Sequence, residues 1–185
     1  MEGLKHGYGK FYWKNGYTSY EGEWLENQKS GNGKYYYENG NLWYEGRSKN
    51  GLPEGNGAAY DEFGHLRYSG NFTKGLQNGK GKEYESNQNI YSGYWKDGVR
   101  SGLGTETNID GIVIYIGNFS EGERNGHGIE YEGNSGYKNY EGEFRNDSKH
   151  GKGQKFYPDG VIWYCGDFED DYQIGFGKYY DRKGT

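Results

Sequence analysis

Carboxylates, four histidines, one cysteine and many Gly-x-Gly triplets are the groups of this chain equipped for chemistry. Gly-rich loops suggest phosphate cradles first. Those need Gly-x-Gly-x-x-Gly opening a helix, or Gly-x-x-x-x-Gly-Lys followed by Ser or Thr. Neither occurs: the fifth position after Gly7, Gly31 and Gly126 is Tyr12, Tyr36 and Tyr131. His6 and His150 hold the same repeat position six units apart, roughly 55–60 Å by strand spacing, so they cannot share a metal. His65 and His127 read as surface residues. Cys165 has no histidine nearby in sequence to raise its thiolate fraction. Glu21, Glu45 and Glu141 each follow a Tyr. A glycosidase needs two carboxylates about 5–10 Å apart in a cleft; a regular row reads as a solvated or groove-lining face. No catalytic residue, metal or cofactor is expected, and the chain is not expected to be an enzyme.

Composition points the same way. Of 185 residues 36 are Gly, 22 Tyr, 8 Phe and 5 Trp, while Leu, Ile, Val and Phe together number only 26. Such aliphatic poverty marks disordered chains, but those lack aromatics and carry high net charge. The net charge here is −5. Order built on Tyr and Gly is expected, with few helices, since Gly-rich, Ala-poor sequence supports them badly. A pI near 5.5 offers no footprint for nucleic acid and weakens attraction to anionic lipid. No apolar run approaches the ~20 residues of a membrane span, and residues 1–6 lack a signal-peptide core. One cysteine, Cys165, forms no internal disulfide, which fits a reducing, cytoplasmic compartment. The Asn-x-Ser/Thr triplets at Asn71, Asn118 and Asn146 are read as chance in that setting.

The elements that must carry these residues are legible in a repeat. Tyr-x-Gly recurs at Tyr20, Tyr44, Tyr68, Tyr91, Tyr115, Tyr140 and Tyr164, a mean period of 24. Gly-x-Gly recurs between them, its second Gly always 13 residues after the Tyr, as from Tyr20 to Gly33. A partial unit, 1–19, precedes the seven Tyr-headed ones, and the whole is expected to be a single domain. Each unit reads as a β-hairpin. Alternation puts Tyr20, Gly22 and Trp24 on one face and the carboxylates on the other. Four residues after each Tyr stands an aromatic, broken only at Ser48. Seven after each Tyr stands Gly, Asn or Asp, a left-handed turn position. A second turn column runs through Gly16, Gly40, Gly64, Asn87, Gly111, Gly136, Gly160 and Gly184. Of the 36 Gly, only Gly133 lies outside these columns. The expected logic is ring and slot: an aromatic of one unit lies over the bare Gly backbone of the next. Parity does not put the Tyr36 column on the Gly33 face unless a bulge intervenes.

This pattern resembles the MORN repeat (membrane occupation and recognition nexus), as in Tyr115-Ile116-Gly117-Asn118-Phe119, Gly122 and Gly126-His127-Gly128. The resemblance covers essentially the whole chain, with a period about one residue longer than the family's usual one. It implies an all-β fold: an elongated, single-layer array of stacked antiparallel β-hairpins. It also implies a scaffold for protein partners, in a cytoskeletal or ciliary assembly. The alternatives are a membrane or phospholipid tether and a regulatory region of a larger enzyme. The sequence opens inside a unit and closes past a turn, so its outer strands are expected to offer edges to a partner or a second copy. Aromatics outside the repeat columns, Trp13, Tyr37, Trp43, Tyr94, Tyr157 and Trp163, are the candidate partner-binding residues. They read either as edge packing or as a groove for a peptide or helix.

Overall fold

A computed structural model describes residues 3–183, so Gly184 of the second turn column lies outside the described residues. Within them the chain forms 15 strands and no helix. The strands are β1 (Gly7–Tyr12), β2 (Thr18–Leu25), β3 (Gln28–Tyr36), β4 (Leu42–Lys49), β5 (Leu52–Tyr60), β6 (Leu66–Thr73), β7 (Leu76–Glu85) and β8 (Gln88–Lys96). They continue as β9 (Val99–Thr107), β10 (Val113–Ser120), β11 (Glu123–Tyr131), β12 (Lys138–Arg145), β13 (Ser148–Phe156), β14 (Ile162–Glu169) and β15 (Tyr172–Tyr179). One open sheet holds them in chain order. The backbone divides into two compact units, one reaching Asn89 and including Trp95–Gly98, the other formed by Ile90–Tyr94 and the residues from Val99 onward.

Both turn columns adopt the conformation their residue types imply. At the first, Glu26 and Asn27 have φ of 51° and 67°, and the pair Asp170–Asp171 repeats this at 47° and 71°. Two successive left-handed residues joining two strands make a type I′ hairpin, whose twist matches that of the sheet. The turn also ties neighbouring repeats: Gly51 N donates to Lys29 O (2.8 Å) and Gly122 N to Arg100 O (3.1 Å). At the second turn, Gly16 N donates to Trp13 O (3.0 Å) and Gly40 N to Tyr37 O (3.0 Å). Asn15 and Asn39 then reach to the following turn, donating from Nδ2 to Glu38 O (2.7 Å) and Glu62 O (2.8 Å).

The core lies on one face of each unit. The seven repeat Tyr are at most 2% exposed. Register places glycine opposite glycine, Gly22 against Gly33 and Gly33 against Gly46 in one unit, Gly117 against Gly128 and Gly128 against Gly142 in the other. Each Tyr ring lies across such a pair. A Cβ on Gly33 would sit 2.6 Å from Tyr20 Cε2, and one on Gly22 would sit 2.6 Å from the Tyr20 hydroxyl. The ring-and-slot expectation therefore needs a correction. The slot is in the ring's own hairpin, because the ring leans along its own strand and its hydroxyl donates to the carbonyl three residues on: Tyr20 to Glu23 O (2.7 Å), Tyr44 to Arg47 O (2.7 Å), Tyr140 to Glu143 O (2.9 Å).

Neighbouring repeats meet ring against ring instead. Tyr44 meets Phe72 (centroids 5.2 Å apart), Tyr68 meets Trp95 (5.2 Å), Tyr91 meets Phe119 (5.1 Å), Tyr115 meets Phe144 (5.1 Å) and Tyr140 meets Phe168 (5.0 Å), all edge to face. This is the orientation ring quadrupoles prefer. Where Ser48 leaves no ring for Tyr20, Tyr35 fills the place, 4.7 Å from Tyr20 and 5.9 Å from Tyr44.

The two glycines of each Gly-x-Gly also differ in duty. The second is the slot. The first, Gly31 for example, has φ +97° within a stretch where Ser30 to Asn32 bulge opposite Glu23. A bulge also falls between Tyr35 and Tyr36. It does not carry the Tyr36 ring to the Gly33 face: the extra residue, Trp43, is on β4, and alternation along β3 keeps Tyr36 on the side of Lys34, opposite Gly33 and Tyr35.

Candidate partner-binding surface

The surface is built on the residues that follow the strand bulges. Trp13, just past β1, is held by its own turn, donating from N to Tyr17 O (2.8 Å), and its indole Nε1 donates to Tyr36 O (3.1 Å). Tyr37, the equivalent residue after β3, donates its hydroxyl to Tyr60 O (2.9 Å), and Tyr157 after β13 donates to Tyr180 O (3.2 Å). This column thus braces one repeat against the next while leaving ring surface outside. Trp43 packs against Tyr35 (5.6 Å) and Tyr44 (6.2 Å). Trp163 packs against Tyr157 (6.5 Å), Tyr164 (6.1 Å) and Tyr179 (5.8 Å).

The structure gathers three of the six candidates at one place. Trp13, Tyr37 and Trp43 border a depression of about 450 Å³ that Lys29, Tyr35 and Ser19 also line. Trp13 remains 37% exposed and Trp43 38%, unlike the core rings beside them. Tyr157 and Trp163 form a second aromatic pair. Tyr94 is 44% exposed, and alternation along β8 puts it on the face opposite Tyr91.

Charges organise the same face. Lys29 Nζ lies over the rings of Tyr20 (4.9 Å) and Tyr35 (5.0 Å), and burial lowers its pKa from the ordinary lysine value. The same repeat position holds Arg100, Arg124 and Lys149, over the rings of Tyr91 (4.7 Å), Tyr115 (4.6 Å) and Tyr140 (5.5 Å). In that unit the cations alternate with carboxylates. Glu106 pairs with Arg100 (2.5 Å) and Arg124 (2.6 Å), Glu130 with Lys149 (2.8 Å) and Arg124 (3.7 Å), and Lys149 with Asp171 (3.7 Å). Sequence reasoning missed this ladder. Its signal was available: the residue two before Gly-x-Gly is a cation at Lys5, Lys29, Arg100, Arg124 and Lys149.

The opposite face carries the carboxylate row. Glu21 pairs with Lys10 (3.2 Å) and accepts from the Tyr8 hydroxyl (3.0 Å), and Glu45 pairs with Lys34 (3.1 Å). These partners hold the Glu21 carboxyl below its usual pKa, the Tyr8 hydrogen bond most of all. His127 on β11 and Cys165 on β14 border one shallow depression there. They stand three strands apart, about 14 Å by strand spacing. Among the described residues no three His, Cys, Asp or Glu side chains gather in a metal-binding group.

A family model described as MORN repeat matches eight segments of the chain: 1–16, 20–42, 44–58, 68–89, 91–113, 115–134, 140–162 and 164–185. No curated protein matches it.

Proposed function

Because the chain belongs to the MORN-repeat family, we propose that it is a non-enzymatic scaffold that binds protein partners through the aromatic-rich face of its sheet. The observation that carries this reading is the depression bordered by Trp13, Tyr37 and Trp43. Half-exposed indoles set among buried rings are the kind of anchor that dominates protein interfaces, and contiguous exposed apolar surface marks binding sites. The rings are pre-positioned by backbone hydrogen bonds, so little side-chain entropy remains to be lost on binding. The same reading assigns the protein to the cytoplasm, on the ground of its single cysteine, and to cytoskeletal or ciliary assemblies, on the ground of the family resemblance.

Affinity capture with the full chain tests it. The Trp43→Ser/Trp163→Ser variant is expected to keep its far-ultraviolet circular dichroism and thermal midpoint while losing the proteins the natural chain retains. Unchanged capture by a folded variant defeats the proposal. Unfolding of the variant would instead make these rings part of the core.

A further inference from the structure

The Trp13–Trp43 depression holds a cation without an anion. Carboxylates reach this cation column from three repeat positions, occupied by Glu106, Glu130 and Asp171 where Arg100, Arg124 and Lys149 are paired. Around Lys29 the corresponding positions are Tyr35, Phe11 and Gly51, so none of the three supplies a carboxylate. Among the described residues no carboxylate forms an ion pair with Lys29. Glu38 borders the depression without pairing to it. A second polar group is also unspent: Ser19 lines the depression, is 6% exposed, and its Oγ has no hydrogen-bond partner among the described residues. A buried polar atom left unpaired costs stability, and a charge-assisted hydrogen bond to an incoming group recovers it.

We infer that this depression is a carboxylate-binding site, taking an acidic side chain of a partner polypeptide that has apolar residues beside it. Lys29 and Ser19 hold the carboxylate, in the place Glu106 and Glu130 fill for the other cations. Trp13 and Trp43 grip the flanking apolar side chains. The site deepens the protein-partner reading above and rests on it: it names what the aromatic surface selects.

The test compares acetyl-Leu-Glu-Leu-amide with acetyl-Leu-Gln-Leu-amide, titrated into the nitrogen-15-labelled full chain while the indole N–H signals are followed. The glutamate peptide is expected to shift the Trp13 and Trp43 signals and to bind about tenfold more tightly than the glutamine peptide. Lys29→Met removes that difference at an unchanged thermal midpoint, and Lys29→Arg keeps it. Should Lys29→Met unfold the chain, Ser19→Ala serves in its place and is expected to narrow the preference. Equal binding of the two peptides overturns the carboxylate site but leaves the aromatic surface as a peptide-binding face. A preference that survives both substitutions overturns it, as does no response to either peptide. Displacement by excess inorganic phosphate would make it a general anion site and equally overturn the assignment. The Trp43→Ser/Trp163→Ser capture result is read separately, so failure here and failure of the scaffold reading are distinct.

Discussion

A single tyrosine does three jobs in this protein. Tyr20 fills the slot over Gly22 and Gly33, donates its hydroxyl to Glu23 O, and presents an edge to Tyr35. Phe would fill the slot but leave that carbonyl bond unmade, a loss of about 1 kcal/mol. The slot itself tolerates no side chain. Gly33→Val is expected to cost about 3 kcal/mol, since its Cβ would lie 2.6 Å from the ring of a Tyr20 that is fully buried. Gly64→Ala is the control. It meets nothing within 4 Å, although its φ of +91° is strained for any Cβ, so about 1 kcal/mol is expected. Thermal midpoints by circular dichroism separate the two. The Tyr and the second Gly were both legible, because their 13-residue spacing never varies. That the ring stays within its own hairpin was not, because spacing does not say which way a side chain leans.

At the scale of strands and turns, one column is adjusted to its neighbours. Tyr35 occupies the position where Ala59, Glu106 and Glu130 stand in other repeats. It becomes a core ring where Ser48 supplies none, whereas Tyr179 packs against Tyr164 (4.9 Å) but stays 63% exposed. Where the column holds Glu, it builds the ion-pair ladder. Removing Glu106 leaves Arg100 and Arg124 facing each other on a half-buried surface, their side chains 21% and 18% exposed. Glu106→Gln is therefore expected to destabilise by about 1–3 kcal/mol, less at high salt. Glu21→Gln on the opposite, solvated face should shift the thermal midpoint little, because exposed pairs contribute under about 1 kcal/mol. Equal effects would show that the ladder is no stronger than a surface pair. Within the described residues the turn columns were legible in the sequence. The cation column of the ladder could be found in the sequence, but its pairing across repeats could not, because those partners lie 18–19 residues apart, as do Arg124 and Glu106 or Lys149 and Glu130.

Across the whole chain the core is phenolic, and that sets its response to alkali. Burial pushes Tyr20, Tyr44 and Tyr68 up to about 12, and Tyr115 and Tyr140 also move upward. The unfolded chain ionises its tyrosines near 10. Between these values the unfolded state binds fewer protons than the folded one, so stability falls with rising pH. The contribution is complete below about pH 10 and is lost on the way through about pH 12. Near-ultraviolet absorbance of tyrosinate and far-ultraviolet circular dichroism should therefore change together for the core rings in that window. Core ionisation with the sheet intact would contradict the burial described here.

The hairpin unit, its turns, the all-β fold and the face that buries its rings can all be read from the order of the residues. These follow from local rules: period-two alternation, left-handed turn residues and a constant spacing. Which residues meet across repeats depends on how the strands pack together. That packing set ring against ring at Tyr44 and Phe72, joined Trp13, Tyr37 and Trp43 around one depression, and left Lys29 there without the carboxylate its counterparts have. Bulges shift strand register both inside the hairpin and between repeats, and local rules do not fix where those shifts bring side chains together. Position within a unit then fixes a residue's backbone conformation, while its neighbours depend on how adjacent units are stacked.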